Sequence, residues 1–158
     1  MYDKCCCFIG HREICESEQL LEQLDAVIRQ LIEQEEVSCF LLGSKSRFNT
    51  LCYERLSALK KEYPHIRRVY VRAEFPLIDK DYREYLQRYY EDTYYVENAL
   101  GPGRYVLRNR DMIDKSSVCV FYCLQSYSPK GRRSGTKLAL EYAAAHNKKI
   151  ILLPDFQS

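Results

Sequence analysis

Short apolar runs of strand length, two of them closed by glycine, alternate along this chain with segments whose apolar residues recur at helical spacing. No other feature narrows the fold so far. "CCCFI" (Cys5–Ile9) stops at Gly10, and "VSCFLL" (Val37–Leu42) stops at Gly43. Ile66–Val71, Thr93–Val96, Ser117–Cys123 and Ile150–Leu153 read as further strands. Between the first two, Leu20, Leu24, Val27, Ile28, Leu31 and Ile32 share one helical face, with Ser17 placed to cap it. A second helix starts near Ser46, runs through Phe48, Cys52, Leu56 and Leu59, and must end before Pro64. Three more are expected: Asp79 to about Tyr90, a segment through Tyr105, Leu107 and Met112 ending near Lys115, and Gly135–His146. Gly101-Pro102-Gly103 reads as a loop.

Strands that are apolar throughout, separated by helices, predict a parallel sheet covered on both faces. With right-handed crossovers the expected class is α/β: a single doubly wound, mostly parallel Rossmann-like sheet with helices on both faces. At 158 residues, one domain over 1–158 accounts for the chain, and no repeat or linker divides it.

Composition removes several classes of function. A net charge of +2 means that any anion binding must come from local clusters rather than from the chain as a whole. Nucleic-acid binding is disfavoured for the same reason, since no basic stripe runs outside the loops. Eight cysteines invite a disulfide framework, but their placement argues otherwise. Cys5, Cys6 and Cys7 are consecutive in an apolar run, and Cys39 and Cys119 sit in others, so they read as small buried hydrophobes. No CxxC pair or Cys/His zinc spacing appears, so no metal is expected, and no cofactor either. Without a signal peptide or a long apolar span, the expected address is a reducing cytoplasm, with no membrane partner.

Ligands of such sheets lie beyond the carboxyl ends of the strands. Three loops there share glycine, hydroxyls and cations: Gly10-His11-Arg12, Gly43-Ser44-Lys45-Ser46-Arg47, and Ser128–Lys137 with Arg132, Arg133, Ser134, Gly135 and Thr136. Ser-Gly-Thr opening a helix suits a phosphate, because the first turn presents unpaired N–H groups and a positive partial charge. Arg12, Arg47, Arg132 and Arg133 would add bidentate contacts to phosphate oxygens. A solvated basic turn explains Arg132 and Arg133 equally well. For His11 three roles stand open: proton exchange near neutral pH, donation to a phosphate, or orientation of a loop.

These motifs resemble the SLOG superfamily, named for the DNA-processing Smf protein and the Lonely guy enzymes, and within it a small bacterial branch. Ile9-Gly10-His11-Arg12 is similar to its Thr-Gly-His-Arg motif. Asn109-Arg110 before Met112-Ile113-Asp114, then Gly135-Thr136, Tyr142-Ala143 and Lys148-Lys149-Ile150, follow in the family's order. The resemblance implies a Rossmann-like sheet that holds nucleotides or their derivatives, and adds Arg110 to the site. Two departures matter. "LGSKSRFN" carries Leu42, Arg47 and Asn49 where the family has Ser, Gly and Asp, which makes that wall more positive. N-ribosyl-cleaving relatives place a Glu three residues after the Thr, to activate water or attack the anomeric carbon. Here that position is Ala139, and Glu141 lies about 200° round the helix from it.

The leading expectation is therefore non-catalytic binding, as a sensor or carrier, of a phosphorylated nucleotide-derived small molecule at the C-terminal edge of the sheet. Gly10, His11, Arg12, Gly43, Ser44, Lys45, Arg47, Arg110, Arg133, Ser134, Gly135 and Thr136 are the expected binding residues. The alternative is an N-glycosidic hydrolase or phosphoribohydrolase that uses another carboxylate, such as Glu74, Asp79, Asp111 or Asp114. Nucleic-acid binding, with tyrosines stacking on bases, is a further alternative. Among the 14 tyrosines a bunch runs from Tyr82 to Tyr95, too many for one helix to bury. It reads as a homo-oligomer surface, a lid over a base, or ordinary amphipathic packing.

Overall fold

The computed structural model describes residues 4–96, 103–124 and 134–155. In chain order its elements are β1 (Cys5–Gly10), α1 (Glu18–Glu33), β2 (Cys39–Leu42), α2 (Arg47–Leu59), β3 (Arg67–Arg72) and α3 (Lys80–Tyr89). They continue with β4 (Asp92–Tyr95), α4 (Arg104–Lys115), β5 (Val118–Tyr122), α5 (Gly135–Ala145) and β6 (Lys149–Leu153). Among the described residues the strands form one parallel six-stranded sheet in the order β4-β3-β2-β1-β5-β6. This is a doubly wound α/β fold of Rossmann-like type.

Side chains of successive strand residues point to opposite faces, and the two cores follow that alternation. Cys6, Phe8, Phe40, Leu42, Val118, Val120 and Tyr122 meet α1 and α2 on one face. Cys5, Cys7, Ile9, Cys39, Leu41, Cys119 and Phe121 meet α4 and α5 on the other, against Met112, Ile113, Ala139 and Ala143. Strands buried on both sides have no polar face, which is why "CCCFI" reads as an unbroken apolar run. All the cysteines except Cys15 are buried. In this packing they take the place of small aliphatic residues.

Strand limits differ from the sequence reading by one or two residues. β2 starts at Cys39 rather than Val37, and β4 ends at Tyr95 rather than Val96, because Val37 and Val96 pack inward outside the ladder. Ser17 and Ser46 cap as expected, their Oγ atoms accepting from the N–H groups of Leu20 and Asn49 at 3.1 Å each. No helix among the described residues is long and apolar enough to cross a membrane.

The chain steps outward from β1 through β2 and β3 to β4, then crosses back over β1 to lay down β5 and β6. The segment after β1 enters α1 on one face, while the segment after β5 leads to α5 on the other. Between those two strand ends a crevice opens by construction, and it is there that a ligand of such a sheet is expected.

Candidate functional site

A cavity of about 800 Å³ lies at this edge. Gly10, His11, Arg12, Gly43, Ser44, Lys45, Ser134, Gly135 and Thr136 all line it, so three loops distant in sequence face one space. Arg47 and Arg110 do not line it and are corrections to the expected set. The Arg47 guanidinium grips both oxygens of Glu16 at 2.7 Å and reaches Glu54 at 3.4 Å. Arg110 is exposed and lies over the Tyr142 ring of α5 at 5.0 Å. Arg133, with Lys130 and Arg132, lies outside the described residues.

Two helices start at the cavity. Ser46 and Ser134 line it and cap α2 and α5, the latter through an N–H bond from Lys137 to Ser134 Oγ at 3.1 Å. Each cap satisfies one amide of its first turn, while the dipoles of both helices add positive potential. At the start of α5 Gly135 has open space where a side chain would project.

Glycine, serine and asparagine around β2 build the wall rather than decorate it. Gly43 lies against Arg108 and Met112: a Cβ there would meet Met112 Sδ at 2.8 Å and Arg108 Cδ at 3.0 Å. The Ser44 hydroxyl donates to Ser46 Oγ at 2.8 Å and accepts from the Ser46 N–H at 3.2 Å. Asn49 spans two strands. Its Oδ1 accepts from the Gly43 N–H at 3.0 Å, and its Nδ2 donates to the Phe8 carbonyl at 3.1 Å. An ionised carboxylate in that position would have no proton to give Phe8.

His11 joins the two strand ends at the topological switch. Its backbone N–H donates to Tyr122 O at 3.3 Å, and its Nε2 accepts from the Leu124 N–H at 2.9 Å. With Nε2 as acceptor the ring is neutral and carries its proton on Nδ1. Burial pushes the imidazole pKa below its ordinary value. Of the three roles open to His11, this geometry suits loop orientation.

The strongest cations of the cavity are ones the sequence reading passed over. Arg108 is only 6% exposed and lines the cavity beside Arg72. Neither forms an ion pair with a described carboxylate, and the Nε of each is buried without a hydrogen-bond partner. Arg108 makes a long contact to Asn109 Oδ1 at 3.4 Å and lies over the Tyr105 ring at 5.4 Å. Arg72 donates to the Phe75 carbonyl at 3.2 Å. Desolvation pushes both guanidinium pKa values down, the mark of a charge taken from water. Holding the buried Arg108 cation without a direct ion pair is costly. Both positions had readable signals: Arg72 ends β3 and so obeys the strand-end rule, and Arg108 is one helical turn before the core residue Met112.

Tyr70, Tyr82 and Tyr105 complete one wall together with Glu74, which among the described residues is the single carboxylate lining the cavity. The Tyr105 hydroxyl donates to Glu74. That bond first, and then the nearby cations Arg104, Lys45 and Arg108, hold the Glu74 pKa below the usual carboxylate value. The other acids considered above are engaged elsewhere: Asp79 caps α3, Asp111 binds Tyr94 and Lys115, and Asp114 accepts from Tyr142. Ala139 is packed into the core between α5 and the sheet, and Glu141 is exposed.

No protein-family model matches the chain, and no curated protein matches it. Among solved structures it is similar to S. aureus TarJ, at 15% identity and a TM-score of 0.43, over 85% of this chain and 44% of that one. It is also similar to S. aureus TarJ in complex with NADPH, at the same identity and TM-score, over 89% of this chain and 46% of that one. The chain spans less than half the length of the solved chains it matches.

Proposed function

We propose that this chain binds, without cleaving it, a phosphorylated nucleotide-derived small molecule at the C-terminal edge of its sheet, as a sensor or carrier of that molecule. The observation that carries this reading is the pair Arg72 and Arg108, two guanidinium groups in the cavity wall that form no ion pair with a described carboxylate, while the one described carboxylate there, Glu74, is bonded to Tyr105. A phosphate would supply negative charge beside them and accept from their forked N–H groups. The starts of α2 and α5, with Lys45 and Arg12 at the rim, add to the same field. Kinship with the SLOG superfamily is part of the proposal: Gly10-His11-Arg12 and Gly135-Thr136, which carry that resemblance, border this one cavity. Binding rather than cleavage is favoured because Ala139 stands where cleaving relatives have Glu, and it is core.

Glu74 supports one competing reading, an N-glycosidic hydrolase. It is ionised, faces the cavity and is braced by Tyr105, so a water held beside it would have a base. Two measurements separate the readings. Denaturing the purified protein and weighing the released small molecules should yield a phosphorylated nucleotide derivative. Incubation with nucleoside monophosphates, followed by chromatography, should yield no free base. Turnover that disappears in Glu74→Gln overturns the binding reading.

A further inference from the structure

The cavity has a polar floor and an aromatic lip, and the two are physically joined. At the lip Phe75 is 56% exposed and Tyr105 41% exposed, although each lines the cavity. Phe75 also has φ 56°, in the left-handed region that a bulky side chain rarely adopts. A glycine there would relieve the strain and leave no ring in water. Strain of this kind, held at the mouth of a cavity, points to a use for the side chain.

The surroundings hold that ring in place without covering it. Arg72, half-buried in the cavity wall, donates to the Phe75 carbonyl and so pins the turn after β3. Tyr82, on the first turn of α3, meets Phe75 edge-on, with ring centroids 6.1 Å apart and planes at 62°. Across the opening, Tyr105 is flanked by Arg104 at 5.0 Å and Arg108 at 5.4 Å, while its hydroxyl is tied to Glu74. Phe75 and Tyr105 are thus fixed at the opening with part of each ring in contact with solvent, Tyr82 stands half-buried beside Phe75 and stacked on Tyr85, and two cations without a direct ion pair lie next to them.

We infer that Phe75, Tyr82 and Tyr105 form a stacking subsite for a planar aromatic ring of the ligand, whose anionic group reaches inward to Arg72 and Arg108. This rests on the anion-binding reading above and adds to it the ring, its place and its orientation. Every base has a π-face, so the subsite recognises a flat ring as such, with little choice among bases. The Arg72–Phe75 contact couples the two ends: the cation that meets the anion also sets the turn that carries the ring.

The test is calorimetric titration with adenosine monophosphate and with ribose 5-phosphate, which share sugar and phosphate and differ by the base. Adenosine monophosphate should bind about tenfold or more tightly, in line with base–aromatic stacking. Phe75→Gly, which removes the ring and relieves the backbone, and Tyr82→Leu should each erase most of that margin, read as the ratio of the two affinities within each variant. Circular dichroism confirms that each variant is folded. Equal binding of the two ligands by the native protein, or a full margin kept in Phe75→Gly, overturns the stacking inference and leaves the anion reading standing. Failure of both ligands to bind at millimolar concentration overturns the two together.

Discussion

Phe48 lies so close to Gly10 that a Cβ built on the glycine would stand 2.3 Å from the Phe48 ring carbon Cδ2. The first residue of the Gly-His-Arg motif is therefore dictated by packing between the end of β1 and the start of α2. Only after that is it a neighbour of the cavity. Motif glycines of one chain can thus answer to different constraints, since Gly135 has nothing within 4 Å of the same construction.

That contrast gives a prediction with opposite signs. Gly10→Ala overpacks the junction and should destabilise the protein by about 1–3 kcal/mol. Gly135→Ala meets no obstacle and should stabilise it by about 0.4–1 kcal/mol through the unfolded state. Urea denaturation of both variants checks the pair.

Arg108 separates stability from binding. Replacing a buried cation that has no direct ion pair by an apolar side chain of similar length should leave the ligand-free protein as stable or make it more so. Arg108→Met should therefore keep or raise the melting temperature while lowering affinity for a phosphorylated ligand at least about tenfold, given the strength of charged hydrogen bonds. Arg47→Ala should leave that affinity unchanged, because its guanidinium is spent on Glu16 and Glu54. Thermal melts with and without ligand read both effects.

At Asn49 the amide is needed at both ends. Asn49→Asp keeps the acceptor for Gly43 but sets a carboxylate against the Phe8 carbonyl, at 3.1 Å in the native protein. The expected loss is about 1–3 kcal/mol, the cost of an unsatisfied buried polar group. Chemical denaturation measures it, and an unchanged midpoint would refute the bridging role.

His11 sets a pH dependence. Its folded pKa lies below the unfolded value near 6.5, so between the two the unfolded chain takes a proton that the folded protein refuses. Stability from this source is complete above about pH 7 and declines as pH falls from there towards the folded value. The native protein should lose more stability than His11→Gln between pH 7.5 and pH 5.5. Stopping there keeps Glu16, Glu62, Glu74 and Glu91, whose pKa values lie below 4.5, out of the titration. Denaturant midpoints at a series of pH values make the comparison.

The sheet was readable because it rests on periodicity. An unbroken run such as "CCCFI" can be buried on two faces only in the middle of a parallel sheet, and a serine before a helical face can only be a cap. The three glycine-rich loops were readable for a related reason: the topology sends strand ends to one edge whatever their side chains. What periodicity does not carry is which side of a helix or turn a long side chain takes. Arg108 and Arg110 are two residues apart, about 200° round the helix, so one enters the cavity and the other lies outside it over Tyr142. Arg47 looked like a site residue until Glu16, distant in sequence, appeared beside it. Arg72 and Phe75 drew no notice because "RAEF" lacks the glycines that mark the other loops, yet it ends a strand at the same edge.

The order of the sheet has one more consequence. The cavity wall draws on Gly10 from the first strand, Arg72 from the third, Arg108 from α4 and Thr136 from α5, on both sides of the β1–β5 seam. Any molecule seated there rivets together parts of the chain that are synthesised far apart, and neither half can come loose while it stays. If the proposed ligand binds there, its concentration would set how long each copy of the protein survives proteolysis, and supply of the small molecule would be written into the amount of protein.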